Sequence, residues 1–251
     1  MPEEVAQTTI YPETPTPEIK EMIDAGVFYG RKKTKTNPKM KGYVLLNRGG
    51  VEVINLAESA VAMEHASGFL REKMRHGCLV LFVATQPAAE VTVTDLAKKF
   101  GMPYAVTCWP GGAITNFSVI SKRVDYMKKL RSDLARGAMD KYTKKERVML
   151  DRELGRLADL FGGMESMSRT PDVLVVVDPS EHHTAVREAN KKKIPVVALG
   201  NVDTDPDLID YLVPGNDSAK SSIGWFLNKI EEAIMAGLKE KTEQTPSTNN
   251  E

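Results

Sequence analysis

The chain has 251 residues, 41% hydrophobic and 27% charged, with 34 basic and 34 acidic side chains and a formal net charge of zero. That balance excludes wholesale disorder and fibrous architecture, and the length allows one large domain or two small ones. Two cysteines, Cys78 and Cys108, are too few for a disulfide framework or a four-cysteine zinc site and read as buried thiols, and no apolar run approaches the ~20 residues of a membrane span.

Residues 1–17 hold Pro2, Pro12, Pro15 and Pro17 with acids and no base, and read as a disordered acidic leader without the basic and apolar regions of a secretory signal. Thr16 and Pro17 predict the cap and first position of a short helix, with Ile19, Met22 and Ile23 on one face and Gly26 at its end. Residues 31–41 carry six cations, and Asn37-Pro38 interrupts any helix, so this stretch reads as an extended loop. β-Rich runs over 43–46 and 51–56 flank Asn47-Arg48-Gly49-Gly50 and predict a hairpin. A helix over 56–74 leads to the continuous apolar run 78–84, and Gln86-Pro87 opens a helix to Phe100. Further strands are predicted over 104–107, 173–177, 194–199 and 211–213, with helices over 181–192 and 218–238.

Strands buried on both faces and alternating with helices form a parallel sheet with right-handed crossovers. The fold class is therefore α/β, a Rossmann-like or flavodoxin-like three-layer body over 18–116 and 163–238. Residues 239–251 are polar and read as a disordered tail.

One segment breaks this rhythm. Phe117, Ile120, Val124, Met127, Leu130 and Leu134 recur every three or four residues, as do Leu150, Leu154, Leu157 and Phe161. Gly137 stops the first helix, and Thr143 with Glu146 predicts a capping box that starts the second. The narrow stripes predict an antiparallel coiled-coil hairpin over 117–162, an arm roughly 30 Å long at about 1.5 Å per residue.

Charge is segregated along the chain. Arg31, Lys32, Lys33, Lys35, Lys39, Lys41 and Arg48 fall within 31–48, which has no acid. Residues 115–162 hold twelve basic against seven acidic side chains, Lys122 and Arg123 among them, and the remainder sums to −12. Two basic regions on an acidic body point to a polyanionic partner.

In open α/β sheets ligands bind at the carboxyl ends of the strands, so those positions bear on whether the chain is an enzyme. Trp109-Pro110-Gly111-Gly112 follows a strand and offers amides to a phosphate, but without a GxGxxG fingerprint or Walker lysine it reads as a tight turn packing Trp109. Asp178 closes strand 173–177 and reads as a helix cap. Adjacent histidines point about 100° apart on a helix, so Glu181, His182 and His183 read as an exposed polar face rather than metal ligands. Asp203, Asp205, Asp207 and Asp210 surround Pro206 as turn chemistry, lacking the glycine and terminal glutamate of an EF-hand loop. No nucleophile, base and orienting acid stand in a recognisable context, so no catalytic residue, metal or cofactor is expected. The RNA reading uses the cations of 31–48 along a phosphate backbone, with Tyr29 and Asn37, and Trp109, Thr115 and Asn116 from the turn, for hydrogen bonds or stacking. No RRM, KH or OB signature is present, so recognition rests on RNA shape.

At this point a family likeness enters. Ala25-Gly26-Val27, Asn37-Pro38-Lys39-Met40, Trp109-Pro110-Gly111-Gly112 with Thr115-Asn116, and Lys144-Lys145-Glu146 are followed by Pro171-Asp172, Glu188-Ala189 and Ile194-Pro195-Val196. Then come Asp205-Pro206, Ile209-Asp210-Tyr211 and Pro214-Gly215-Asn216-Asp217. In this order, over about residues 18–238, the motifs resemble the bacterial form of the small-subunit ribosomal protein two family. The resemblance implies a Rossmann-like body with an inserted coiled-coil hairpin, no enzymatic activity, and a place on the solvent side of the small subunit of the cytoplasmic ribosome, between head and body. It implies small-subunit ribosomal RNA and neighbouring small-subunit proteins as partners, the large messenger-capturing ribosomal protein among them, and no membrane. RNA-facing positions carry over to Asn37, Lys39 and Lys41, to Trp109, Gly111, Gly112, Thr115 and Asn116, and to basic faces of the hairpin, Lys122 and Arg123 included.

Two departures bear on these roles. Phe28-Tyr29-Gly30-Arg31 stands where many relatives carry His-Phe-Gly-His, so no metal or stacking role of those histidines carries over. Cys108 and Pro110 replace the usual arginine and leucine beside the tryptophan, which counts against a direct RNA contact from that turn. The competing functions are an α/β enzyme acting on a phosphorylated small molecule through Asp178 and the glycine turn, and a coiled-coil scaffold without RNA.

Overall fold

The computed structural model describes residues 16–137 and 142–244. The leader predicted over 1–17, apart from Thr16 and Pro17, lies outside the described residues, as do 245–251 of the predicted tail. Helix α1 (Pro17–Asp24) starts as its sequence predicts: Thr16 Oγ1 accepts from the Ile19 N–H at 3.5 Å, and proline takes the first position.

The extended loop predicted over 31–41 is folded instead. A small antiparallel sheet takes up its beginning, with β1 (Tyr29–Lys32), β2 (Val44–Arg48) and β3 (Val51–Ile54) in the order β1-β3-β2. Two 3-10 turns, Lys33–Lys35 and Pro38–Tyr43, take up the rest. Asn37 Oδ1 accepts from the Lys39 N–H at 3.1 Å, so the Asn-Pro pair that stops an α-helix caps the second turn. The β2–β3 hairpin is where the sequence puts it, with Gly49 and Gly50 supplying φ values of +59° and +84°. β1 has no alternating apolar pattern of its own, and its pairing with Val51–Val53 comes from a partner some twenty residues away.

Helix α2 (Leu56–Arg75) is capped by Asn55 and buries Leu56, Ser59, Met63, Ala66, Leu70 and Met74 along one stripe. The main sheet then builds from β4 (Val80–Val83), α3 (Pro87–Lys99) and β5 (Tyr104–Ala105), and, beyond an inserted helical pair, from β6 (Val173–Val177), α6 (His183–Lys191), β7 (Val196–Gly200) and β8 (Tyr211–Pro214). All four pairings are parallel, in the order β5-β4-β6-β7-β8, the flavodoxin-like arrangement. Every residue of β4, β6 and β7 is buried, which is why their sequences run apolar without alternation. Helices α1, α2 and α3 with α7 (Lys220–Gln244) cover one face around Phe82, Val175, Phe226 and Ile230. On the other face α6, the Pro38–Tyr43 turn and the Trp109 turn pack around Leu81, Val176 and Ala198.

Two differences at element ends have local causes. β5 is only two residues long, because the chain from Val106 bends away into the Trp109 turn. α7 runs on to Gln244, past the predicted end at 238, and so replaces the first part of the predicted tail with helix. There Arg71 of α2 donates to Glu240, an ion pair that no local pattern announces. Both cysteines are half-buried, and burial pushes the Cys78 thiol up.

The inserted pair is α4 (Phe117–Ala135) and α5 (Lys144–Phe161). The Thr143–Glu146 capping box is present in full, and the bonds from Thr143 hold the Glu146 carboxyl below its ordinary value. Ile120, Val124 and Met127 cluster with Leu157 and Phe161, so the first half of α4 packs on the last half of α5 and the two helices run antiparallel. Toward the opposite ends Tyr142, Val148 and Met149 are exposed, so the buried stripe of α5 is confined to its body-side half.

Candidate nucleic-acid interface

In this topology the ligand crevice opens at the carboxyl ends of β4 and β6, where the strand order reverses. The chain's own residues 27–37 run across the carboxyl ends of β6, β7 and β8 at its edge. Val27 O accepts from the Asn216 N–H after β8 at 3.0 Å, and the Asn37 N–H donates to Val202 O after β7 at 2.8 Å. Between these stitches the Arg31 guanidinium enters the crevice. Its Nη2 lies 3.1 Å from Asp178 Oδ2 and 3.1 Å from Asp217 Oδ2, and its Nε lies 2.9 Å from Asp203 Oδ2.

The surroundings are specific for that cation. Gln86 Nε2 donates to Asp178 at 2.7 Å, while Asn201 Nδ2 and Ser218 Oγ donate to Asp217 at 3.2 and 3.0 Å. Burial pushes the Asp217 carboxyl up, with the nearby Asp178 charge adding to it, and burial likewise raises Asp203. Burial works against the Arg31 charge, yet Asp217, Asp203 and Asp178 together hold its pKa above the ordinary value. Arg31 is thus committed to an internal contact instead of the RNA contact expected of it. Among the described residues no group of three or more histidine, cysteine or carboxylate side chains is set to hold a metal ion.

Asp178 closes a turn instead of capping the helix expected after it: it sits at φ +59° and its Oδ1 accepts from the Glu181 N–H at 3.2 Å, whereas α6 starts at His183 behind His182 with no side-chain cap. His182 corrects the sequence reading, for it is buried rather than part of an exposed polar face. Its Nε2 accepts from the Thr85 N–H at 3.1 Å, which leaves Nδ1 to donate to Asp178 O at 2.8 Å, so the ring ties the ends of β4 and β6 together. The aspartate loop is turn chemistry, with Asp205 Oδ1 accepting from the Asp207 N–H at 3.2 Å. Asp205 and Asp207 also hold Lys39, at 3.0 and 2.5 Å, and these bonds raise the lysine pKa.

The glycine turn does receive an anion, but one supplied by the protein. Glu188 Oε1 accepts from Trp109 Nε1 at 3.1 Å and the Gly112 N–H at 2.8 Å. Its Oε2 accepts from the Ile114 N–H at 3.1 Å, the Thr115 N–H at 3.0 Å and Thr115 Oγ1 at 2.9 Å. Burial alone raises this carboxyl, yet the donors of Thr115, Gly112 and Trp109 hold it below its ordinary value. Trp109, Gly112 and Thr115 are therefore engaged inside the protein, while Gly111 and Asn116 are exposed. Sequence reasoning assigned no role to Glu188, although a signal existed. It falls on the same helical face as the buried Ala185 and Ala189, and an acid on a buried face needs donors.

The remaining candidates are at the surface. Lys32, Lys33, Lys35, Lys41 and Arg48 are exposed around the small sheet and its turns, and Lys122 and Arg123 are exposed on the first turns of α4. None of these seven makes one of the ion pairs found among the described residues, whereas Arg131 of α4 pairs with Glu165 and so spends its charge internally. Met40 of the basic segment and Ile114 of the turn lie in one buried cluster, flanked by Tyr43, Trp109 and Phe117. The basic segment and the turn that leads into α4 thus bury residues in the same cluster on one face of the sheet.

A family model described as Ribosomal protein S2 matches residues 22–237. A protein named small ribosomal subunit protein uS2 from Dictyoglomus turgidum is 41% identical over 225 residues, 89% of this chain and 92% of the relative. Proteins of the same name from Corynebacterium diphtheriae and Micrococcus luteus are 38% and 39% identical, over 90% and 89% of this chain and 85% and 79% of their own.

Proposed function

The chain belongs to the ribosomal protein S2 family, and from that premise we propose that it is a structural, non-enzymatic component of the small ribosomal subunit that grips small-subunit ribosomal RNA with its exposed cations. The observation that carries the reading is the set of seven exposed cations outside the internal ion pairs, gathered on the basic segment and at the root of the arm. Lys32, Lys33, Lys35, Lys41 and Arg48 neutralise phosphates from one side, and Lys122 and Arg123 from the other. A net charge of zero suits a peripheral component that touches RNA along one face. The helical pair reaches outward as a coiled-coil arm, and the site of assembly is the solvent side between head and body, beside the messenger-capturing protein. The enzyme reading loses its acid, because Arg31 pairs with Asp178 and residues 27–37 run across the strand ends beside it.

The test is incorporation. A chain with Lys32, Lys33, Lys35 and Lys41 changed to alanine is expressed beside the tagged wild type, and small subunits are isolated on a gradient at raised salt. The variant's occupancy falls well below that of the wild type; equal occupancy contradicts the proposal.

A further inference from the structure

We propose that Glu188 is a positioning residue for the arm: its carboxylate, gripped by five donors of the turn over 109–115, fixes the point and direction from which α4 leaves the body. Such a nest of amides ordinarily suits a free anion. Here the anion is tethered to α6, whose Ala185, Val186 and Ala189 are packed into the sheet cluster, so binding it braces the turn against the body. The brace is needed because α4 has little of its own at that end. Asn116 makes no side-chain cap, and its N–H reaches back to Gly112 O at 2.8 Å, so the first turn of the helix inherits its position from the turn before it. Gly112 holds φ +87°, a conformation that the carboxylate locks through the glycine's own N–H. The α4–α5 cluster contains Ala113 of this same turn, which passes the constraint on to Leu157 and Phe161. The consequence for RNA, that Lys122 and Arg123 are presented at a fixed angle, rests on the function proposed above; the geometry does not.

The two oxygens divide the donors unequally, and this gives a sharp test. In Glu188→Gln the side-chain oxygen keeps the three-donor side, Ile114 N–H, Thr115 N–H and Thr115 Oγ1, and the new amide group faces Trp109 Nε1 and the Gly112 N–H. Hydrogen exchange of the full chain, read by NMR, is expected to speed at least tenfold at the Trp109 indole and Gly112 while Ile114 and Thr115 stay protected. In Glu188→Ala all four lose protection, and amides of β6 and β7 are unchanged in both variants. A spin-label pair at Lys129 and Lys191, with both native cysteines replaced, gives a narrow distance distribution in the parent and a broadened one in Glu188→Ala. Retained protection at Gly112 and Trp109 in the glutamine variant, or an unbroadened distribution in the alanine variant, overturns the proposal. The isosteric glutamine variant keeps the question open to test even where the alanine variant does not fold. All readouts use the protein free of RNA, so a failure of the lysine variants to lose incorporation would refute the RNA reading alone.

Discussion

Replacing Arg31 by methionine keeps most of the side-chain stem and deletes the cation that pairs with Asp178, Asp203 and Asp217. The Asp217 side chain is wholly buried and that of Asp178 is 6% exposed, so neither regains water when the guanidinium is lost. Removing one partner of a buried pair costs about 3–5 kcal/mol; with Arg31 27% and Asp203 20% exposed, the lower end, about 3 kcal/mol at pH 7.5, is expected. At about 2–4 °C per kcal/mol for a chain of this size, the melting temperature drops by roughly 6–12 °C. The cost has a definite pH dependence. Burial already raises Asp217 and Asp203, and loss of Arg31 raises them further, so the folded variant binds protons more tightly than its unfolded chain. The variant's stability therefore rises relative to the parent as pH falls through those raised values, and the gap narrows between pH 7.5 and pH 5. Urea unfolding of both proteins at the two pH values measures this. A loss under about 1 kcal/mol, or a gap that widens on acidification, refutes the assignment of Arg31 as the internal counter-ion of the crevice.

Three further outcomes follow from particular contacts. At Gly163 an added Cβ would overlap the Tyr104 carbonyl oxygen and lie 2.7 Å from its ring, so Gly163→Ala is expected to cost about 2–3 kcal/mol, read as a lower melting temperature; an unchanged melt contradicts the packing of this turn on β5. Thr143→Ala removes the capping box, and amide exchange over the first turn of α5 should speed several-fold while the sheet is unaffected; equal speeding in β6 would contradict a local role. Burial works to raise the Asp172 carboxyl, but Arg169 and the Leu79 N–H, 2.6 and 2.7 Å away, hold it below its ordinary value. Its contribution is therefore full above the unfolded carboxylate pKa of about 4 and is lost as pH falls through the lower folded value; Asp172→Asn should flatten acid unfolding below that point, and an equally steep loss would count against the pair.

What the sequence showed of this molecule is what neighbouring residues decide among themselves. The Thr16 cap, the turn at Asn47–Gly50 and the Thr143–Glu146 box are contacts within three residues, and the unbroken apolar runs of β6 and β7 report their burial directly. What it hid are matches made across the fold. Arg31 reads as one more cation in a basic run, and only the meeting of loops after β6, β7 and β8 gives it three carboxylates. The Trp109 segment reads as a tight turn packing its indole, and nothing near it in sequence announces that α6 brings Glu188 to its amides, 73 to 79 positions along the chain.

The salt dependence of RNA binding tests the central claim most directly. Affinity for a small-subunit ribosomal RNA fragment, measured by titration from low to moderate salt, should fall linearly on logarithmic axes, and changing Lys32, Lys33, Lys35 and Lys41 to alanine should reduce that slope by about 3 to 4 if each neutralises one phosphate of a duplex. Arg31→Met, whose cation faces inward, should leave the slope as it is. If the four-lysine variant keeps the parent's slope, or the Arg31 variant alone reduces it, the exposed cations are not what holds the RNA.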